Sequence, residues 1–317
     1  MSTPVTFTAR VDAYLDYRRQ AGFALKIEGE QLARFARFAR FADHISPGGA
    51  LTMQLAEQWA CASGRPGPLT AARRMELLRP FARYCQQFDP ATEIPPRGRF
   101  GPAHRRLTPH VFTDAEIRAL LVACADLHPP GGLRGICCAT LFGLIASTGL
   151  RTSEATGLQR PDVDLDRSLL HIQNTKFGKS RWVPLHSTTT QALQRYVQQR
   201  DRDPFAATTE AFFLFDYGRP ATTQGLEYAF KLLRQWLHWR SRGGHPAPRI
   251  YDLRHTFACR NLERWYAQGL DIDCHILALS TYLGHAKITD TYWYLTATPE
   301  LLARAAQRLE QFQGGGL

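Results

Sequence analysis

Apolar side chains recur at three- and four-residue spacing through most of the first 90 positions. The segments are "FTARVDAYLDYRRQAGF", "EGEQLARFARFARFADHI", "LTMQLAEQWACA" and "LTAARRMELLRPFARYCQQF". Such spacing gathers the apolar residues on one helix face, so residues 1–90 are expected to form a helical domain. Pro80 lies inside the last segment, where the missing N–H predicts a kink or a break. In "RFARFARFA" (34–42), Phe35, Phe38 and Phe41 drift over about 120° as a core face, with Arg34, Arg37 and Arg40 as a basic stripe beside them. No period survives in "DPATEIPPRGRFGPAHRRLTPH" (89–110), whose Pro, Gly and Arg content predicts a basic linker over 91–110. Thr113 before Asp114 reads as an N-cap, and the apolar run 133–148 is a buried helix closed by Gly149. "SLLHIQ" and "RWVPLH" alternate as strands around the short loop "NTKFGK", with "PDVDLD" as a third strand. Helical spacing returns over 187–201, 222–241, 251–268 and 273–283, so the second domain, 111–317, is expected to be mainly α with one small antiparallel sheet.

Charge adds what periodicity cannot. Of 317 residues, 44% are hydrophobic and 21% charged, which is ordinary, but the net charge is +11. That excess implies an acidic partner, nucleic acid or an anionic membrane. The N-terminus lacks a signal peptide's apolar core, and the longest apolar run falls short of the roughly 20 residues a membrane span needs. Double-stranded DNA is therefore the expected partner, with no membrane. The expected contacts are Arg34, Arg37, Arg40, Arg73, Arg74, Arg97, Arg99, Arg105 and Arg106, although a solvated surface charge is the plainer reading of each alone. Seven cysteines without a C-x-x-C pair, two of them adjacent inside an apolar helix, suggest neither disulfides nor zinc and fit a reducing cytoplasm. There is no GxxxxGK[ST] loop, no strand-linked GxGxxG, no HExxH and no paired acidic cluster, so no metal or cofactor is expected.

What remains is a set of isolated polar residues at element ends, and these carry a resemblance. "STGLRTSEATGL" (147–158), "TKFGKSRWVPL" (175–185), "YDLRHTFACRNL" (251–262) and "YLGHAKITDTYWYL" (282–295) occur in this order. Together they resemble the catalytic domain of the tyrosine recombinases, the phage integrase family, over roughly 110–312. The basic helical region before them resembles that family's core-binding (SAM-like) domain more loosely. The resemblance implies a site-specific recombinase, transposon-encoded enzymes included, that cuts and rejoins DNA through a 3′-phosphotyrosyl intermediate without metal or nucleotide. Breaking a phosphodiester without water or metal calls for a nucleophile that stays attached, and guanidiniums suit the pentavalent phosphate because they donate in pairs.

The resemblance assigns Arg151 and Arg254 to that clamp, Lys176 to protonation of the departing 5′ oxygen, and His285 to a hydrogen bond with the phosphate. Lys179, the alternative to Lys176, and Arg181 are expected to contact phosphate. Glu154, three residues after Arg151, orients that arginine by an ion pair. The family's nucleophile lies nine residues after the His, which is Tyr294. Tyr292, the alternative, would point about 200° away on a helix and pack instead. One departure stands out: the family most often has His three residues before Arg254, where this chain has Tyr251. A phenol accepts a proton less readily than imidazole near neutral pH, so proton removal from Tyr294 would fall to Lys176 or water. His255, about 100° from Arg254 on a helix, reads as structural. The terminal segment "TPELLARAAQRLEQF" (298–312) presents Leu301, Leu302, Ala305 and Leu309 on one face. It suits docking on a neighbouring protomer in a tetrameric synapse, which favours a recombinase over a type IB topoisomerase. A catalytically decayed DNA-binding protein has only Tyr251 in its support.

Overall fold

The computed structural model describes residues 6–41, 50–62, 67–104, 106–173, 180–296, 301–303, 306, 307 and 310. The chain divides into two compact units, Met1–Arg106 and Leu107–Leu317.

The first unit contains α1 (Phe7–Gln20), α2 (Lys26–Arg40), α3 (Met53–Cys61) and α4 (Pro68–Gln86). Thr6 and Thr52 cap α1 and α3 through their hydroxyls. Its core centres on Phe35, fully buried, whose ring meets Phe7 and Trp59 at 5.4 Å and Phe81 at 6.1 Å. Each such ring removed from water contributes about 1.5–3 kcal/mol. α4 passes through Pro80 without splitting. The aromatic stripe of α2 is shorter than expected: Phe35 is buried and Phe38 half-buried, but Phe41 is 87% exposed because the helix ends at Arg40. The stretch read as a linker is largely tied to this unit. Glu93 N–H donates to the Leu51 carbonyl at 2.8 Å, Arg99 pairs with Glu57 at 2.6 Å, and Ile94 and Phe100 pack against the core.

The second unit begins with α5 (Asp114–Ala123), whose N-cap Thr113 forms a reciprocal capping box with Glu116. The apolar α6 (Leu133–Thr148) follows, buried on most sides and closed by Gly149 at φ +66°. After the single-turn α7 (Thr152–Thr156) come β1 (Val163–Asp164), β2 (Leu169–Ile172) and β3 (Arg181–Pro184). They form an antiparallel sheet in the order β1-β2-β3, with Leu170 opposite Val183 and Ile172 opposite Arg181. Then follow α8 (Ser187–Arg200), α9 (Thr223–Trp236), α10 (Tyr251–Ala267), α11 (Ile272–Leu283) and α12 (Thr289–Tyr292), which runs into a 3-10 turn at Trp293–Thr296.

α9 stops five residues before the expected 241. His238 takes a left-handed φ of +53°, its N–H reaches the Gln235 carbonyl at 3.1 Å, and that of Trp239 reaches Arg234 at 3.2 Å. This terminator is normally read from a glycine, and here a histidine occupies its place. Among the described residues no helix is long and apolar enough to cross a membrane, and no group of three or more His, Cys, Asp or Glu could hold a metal ion.

Candidate active site

The site is organised around the last turn of α11. A helix end leaves carbonyls without intrahelical partners and carries the negative end of the helix dipole, so it attracts cations. Three arginines from three other elements take up those carbonyls. Arg181 Nε donates to the Tyr282 carbonyl at 2.7 Å, Arg254 Nη2 to Leu283 at 2.7 Å, and Arg151 Nη2 to Gly284 at 2.9 Å. Gly284 ends the helix at φ +67°, and a Cβ there would lie 2.8 Å from Arg181 Nη1. Both the backbone conformation and the approach of the guanidinium therefore require glycine.

Arg254, on the first turn of α10, is fully buried, and its Nη1 also donates to the Gly149 carbonyl at 2.6 Å. Its Nε is buried with no hydrogen-bond partner, so the guanidinium has donor capacity left over. Arg151 is the N-cap of α7 and its side chain remains 26% exposed. Glu154 joins the arginines. It accepts the Arg151 backbone N–H at 3.0 Å and Arg151 Nη1 at 2.6 Å, then Arg181 Nη1 at 3.1 Å and Nη2 at 2.8 Å. Burial alone would raise its pKa, but the Arg181 hydrogen bonds, the Arg151 backbone bond and the two positive charges hold it down to about 2. Glu154 thus forms the ion pair with Arg151 that their three-residue spacing suggests.

Arg181 departs from the expected phosphate contact. Its side chain is only 12% exposed and points inward from β3, on the same face as buried Val183. Its donors are used by Glu154 and Tyr282, so its role is to fix Glu154 and the end of α11. The two-residue alternation of "RWVP" carried that signal, since an arginine in register with a core valine requires a buried acid.

Tyr294 and Tyr292 occupy opposite environments: Tyr294 is 2% exposed and Tyr292 39%. Burial raises the Tyr294 phenol above its ordinary value, while the Arg254 charge acts in the other direction. His285 follows Gly284 directly, and its Nδ1 lies 2.7 Å from the Thr291 hydroxyl. Its ring is nearly parallel to that of Tyr294, with centroids 6.2 Å apart. Burial and the charges of Arg254 and Arg151 push its pKa down to about 4. His255, expected from the sequence to be structural, also reaches this tyrosine. Its Nδ1 is 3.1 Å from the Tyr294 hydroxyl in a buried contact. Tyr251, by contrast, is 40% exposed and meets His255 edge-on at 4.7 Å.

Lys176, Lys179 and Arg105 lie outside the described residues. Arg34, Arg37, Arg40, Arg97 and Arg106 are exposed. Arg74 departs from the DNA-contact expectation, because it is half-buried and donates to the Trp59 and Ala60 carbonyls at 3.0 and 3.2 Å, closing the end of α3. Arg73 is exposed, although its Nε reaches the Ala103 carbonyl at 3.3 Å.

Residues 110–300 match the model of the phage integrase family. The chain is 37% identical over 313 residues to the putative integrase/recombinase y4rB of Sinorhizobium fredii, covering 96% of this chain and 98% of that protein. It is 32% identical over 232 residues to the tyrosine recombinase XerC of Chlamydia trachomatis, covering 73% and 68%. Among solved structures, the fold is similar to the Tn1549 transposon integrase in complex with transposon right end DNA (TM-score 0.66, 19% identity, 97% of this chain and 99% of that one). It is also similar to the XerH site-specific recombinase bound to its difH substrate (TM-score 0.63, 18% identity, 88% and 78%).

Proposed function

The chain belongs to the phage integrase family, and from that membership we infer that it is a site-specific DNA recombinase that cleaves and rejoins DNA strands. We propose Tyr294 as the nucleophile. The observation that carries this is the seating of its buried hydroxyl 3.1 Å from His255 Nδ1 and in the field of the Arg254 charge, with the His285 ring 6.2 Å from its own, while Tyr292 is 39% exposed. Arg151 and Arg254 would hold the non-bridging oxygens of the scissile phosphate, where charge develops as the oxygen attacks. Their anchoring on helix-end carbonyls fixes them before substrate arrives, so little reorganisation is needed in the transition state. His285 would add a third hydrogen bond, and Lys176 would protonate the 5′ oxygen as it leaves. The product is a 3′-phosphotyrosyl strand, which the 5′ hydroxyl of another strand attacks in the reverse sense.

The natural substrate on this reading is double-stranded DNA, and the similar Tn1549 integrase fold has been solved in complex with transposon right end DNA. The exposed arginines of α2 supply non-specific attraction, which counterion release makes steeply salt-dependent. We further propose that four protomers form the synapse in the bacterial cytosol, with the segment after residue 298 docking on a neighbour. Within that segment Leu301 is fully buried in the cluster that holds Tyr294, and Leu302 is 48% exposed. Ala305 and Leu309 lie outside the described residues.

The test is covalent trapping on nicked half-site DNA. Tyr294→Phe should abolish the protein–DNA adduct and leave half-site binding near that of the parent. Tyr292→Phe should retain the adduct. The reverse pattern would move the nucleophile to Tyr292.

A further inference from the structure

Attack by the Tyr294 oxygen requires an acceptor for the phenolic proton. α10 presents Arg254 and His255 in succession, about 100° apart around the helix. Arg254 turns to the Gly149 and Leu283 carbonyls, and His255 turns to the 3-10 segment that carries Tyr294. Three rings enclose the imidazole edge-on: Tyr251 at 4.7 Å, Trp293 at 5.2 Å and Tyr294 at 5.4 Å between centroids. They fix its plane with Nδ1 facing the Tyr294 hydroxyl at 3.1 Å, and the residue is only 7% exposed. We propose that His255 accepts the Tyr294 proton during strand cleavage and returns it on rejoining, so that it occupies the role that Tyr251 cannot fill. This inference rests on Tyr294 being the nucleophile.

The step balances. The Tyr294 O–H bond breaks as its oxygen bonds to phosphorus, and the proton passes to His255 Nδ1. The bond from phosphorus to the 5′ oxygen breaks, and that oxygen takes its proton from Lys176. On rejoining, the imidazolium returns its proton to the tyrosine oxygen as it leaves phosphorus. The groups facing His255 are Arg249 ahead of α10, Arg254 and Tyr251 on it, His245 in the preceding loop, His285 after α11, and Tyr294. Burial and the surrounding positive charges push its pKa down to about 3, so the ring is neutral at pH 7. With the ring proton on Nε2, the Nδ1 lone pair is free to accept. A DNA phosphate seated among Arg151, Arg254 and His285 offsets much of this positive field, which favours the imidazolium that the reaction forms.

The experiment is single-turnover cleavage of a nicked half-site at saturating protein, followed as trapped adduct between pH 5 and 9. His255→Ala and His255→Gln should each slow adduct formation by roughly the 10²–10⁴-fold of general base catalysis, with half-site binding within about threefold of wild type. Gln retains a hydrogen-bond acceptor but is not a base that can take up the phenolic proton, so it separates proton transfer from positioning. Wild-type rates should fall as pH drops through the imidazole pKa of the DNA complex, and both variants should lose that acid limb. Circular dichroism of each variant shows whether a loss comes from misfolding, and an acid limb that persists unchanged in both variants overturns the proposal. So does His255→Gln at wild-type rate, or a loss that appears in Tyr251→Phe instead. If wild type forms no adduct at all, the recombinase chemistry itself fails and the role of His255 falls with it. An adduct that Tyr294→Phe abolishes and His255→Gln leaves untouched removes the His255 inference alone.

Discussion

Replacing Glu154 by Gln removes the one negative charge that two guanidiniums share. The carboxylate is 7% exposed, Arg181 is 12% exposed and Arg151 26%. Its pKa is held at about 2 in the folded chain against an ordinary 4.5. At roughly 1.4 kcal/mol per tenfold change, the pairing contributes on the order of 3 kcal/mol. That agrees with the roughly 3–5 kcal/mol lost when one partner of a buried pair is removed, and the more exposed Arg151 contributes the smaller share. The sign follows from the depressed pKa: the contribution is complete above about pH 4.5 and disappears as pH falls through about 2. Urea unfolding of the full-length parent and of Glu154→Gln, followed from pH 7 to pH 2.5, measures it. The parent should exceed the variant by about 3 kcal/mol at pH 7, with the gap closing in acid. Glu116 is also held at about 2, by Arg242 and the Thr113 backbone, but it is present in both proteins and cancels in the difference. A gap that stays constant with pH would refute the argument, because it would assign the loss to packing rather than charge. Cleavage should slow as well, since the Arg151 guanidinium loses its strongest restraint.

Two further outcomes test the chemistry and the assembly. Lys176→Ala should slow cleavage of normal DNA by roughly 10²–10⁴-fold, and a substrate with a 5′-bridging sulfur, which leaves without a proton, should restore much of the rate; rescue of Lys179→Ala instead would exchange the two lysines. A chain ending at Thr298 loses the buried Leu301 and should melt earlier by the equivalent of about 1.5–3 kcal/mol, still bind a half-site, and lose cooperative binding to paired half-sites, read by sedimentation and a recombination assay. Unchanged cooperativity with full recombination would show that the segment after residue 298 packs only on its own unit.

Helices were legible wherever an apolar period met a capping residue. α8, α10 and α11 fall within a residue or two of the ranges their spacing suggests, and the mainly helical fold with one small sheet follows from the same pattern. The ends that misled were those closed by unexpected residues, as at His238. Within the site, the ion pair of Glu154 with Arg151 was legible because three residues on one turn must meet. His255 was not legible, because an angle around α10 says where a side chain points and nothing about what arrives to meet it. Its partner, Tyr294, comes from a segment 39 positions later in the chain. Arg181 was missed for a related reason: beside two loop lysines it looked like one more basic contact, and only the register of β3 against the core sets it apart.

The final turn of α11 gives the three arginines a common origin of coordinates. Their tips are measured from successive carbonyls of one short peptide stretch, and His285 is the next residue along it. Distances among these groups are therefore set by that stretch together with Glu154 on α7, which holds two of the three guanidiniums. A displacement of α11 would carry the imidazole and all three attachment points together. Such a displacement would work against the Gly149 carbonyl that also holds Arg254 and against Glu154, which also holds Arg151 and Arg181.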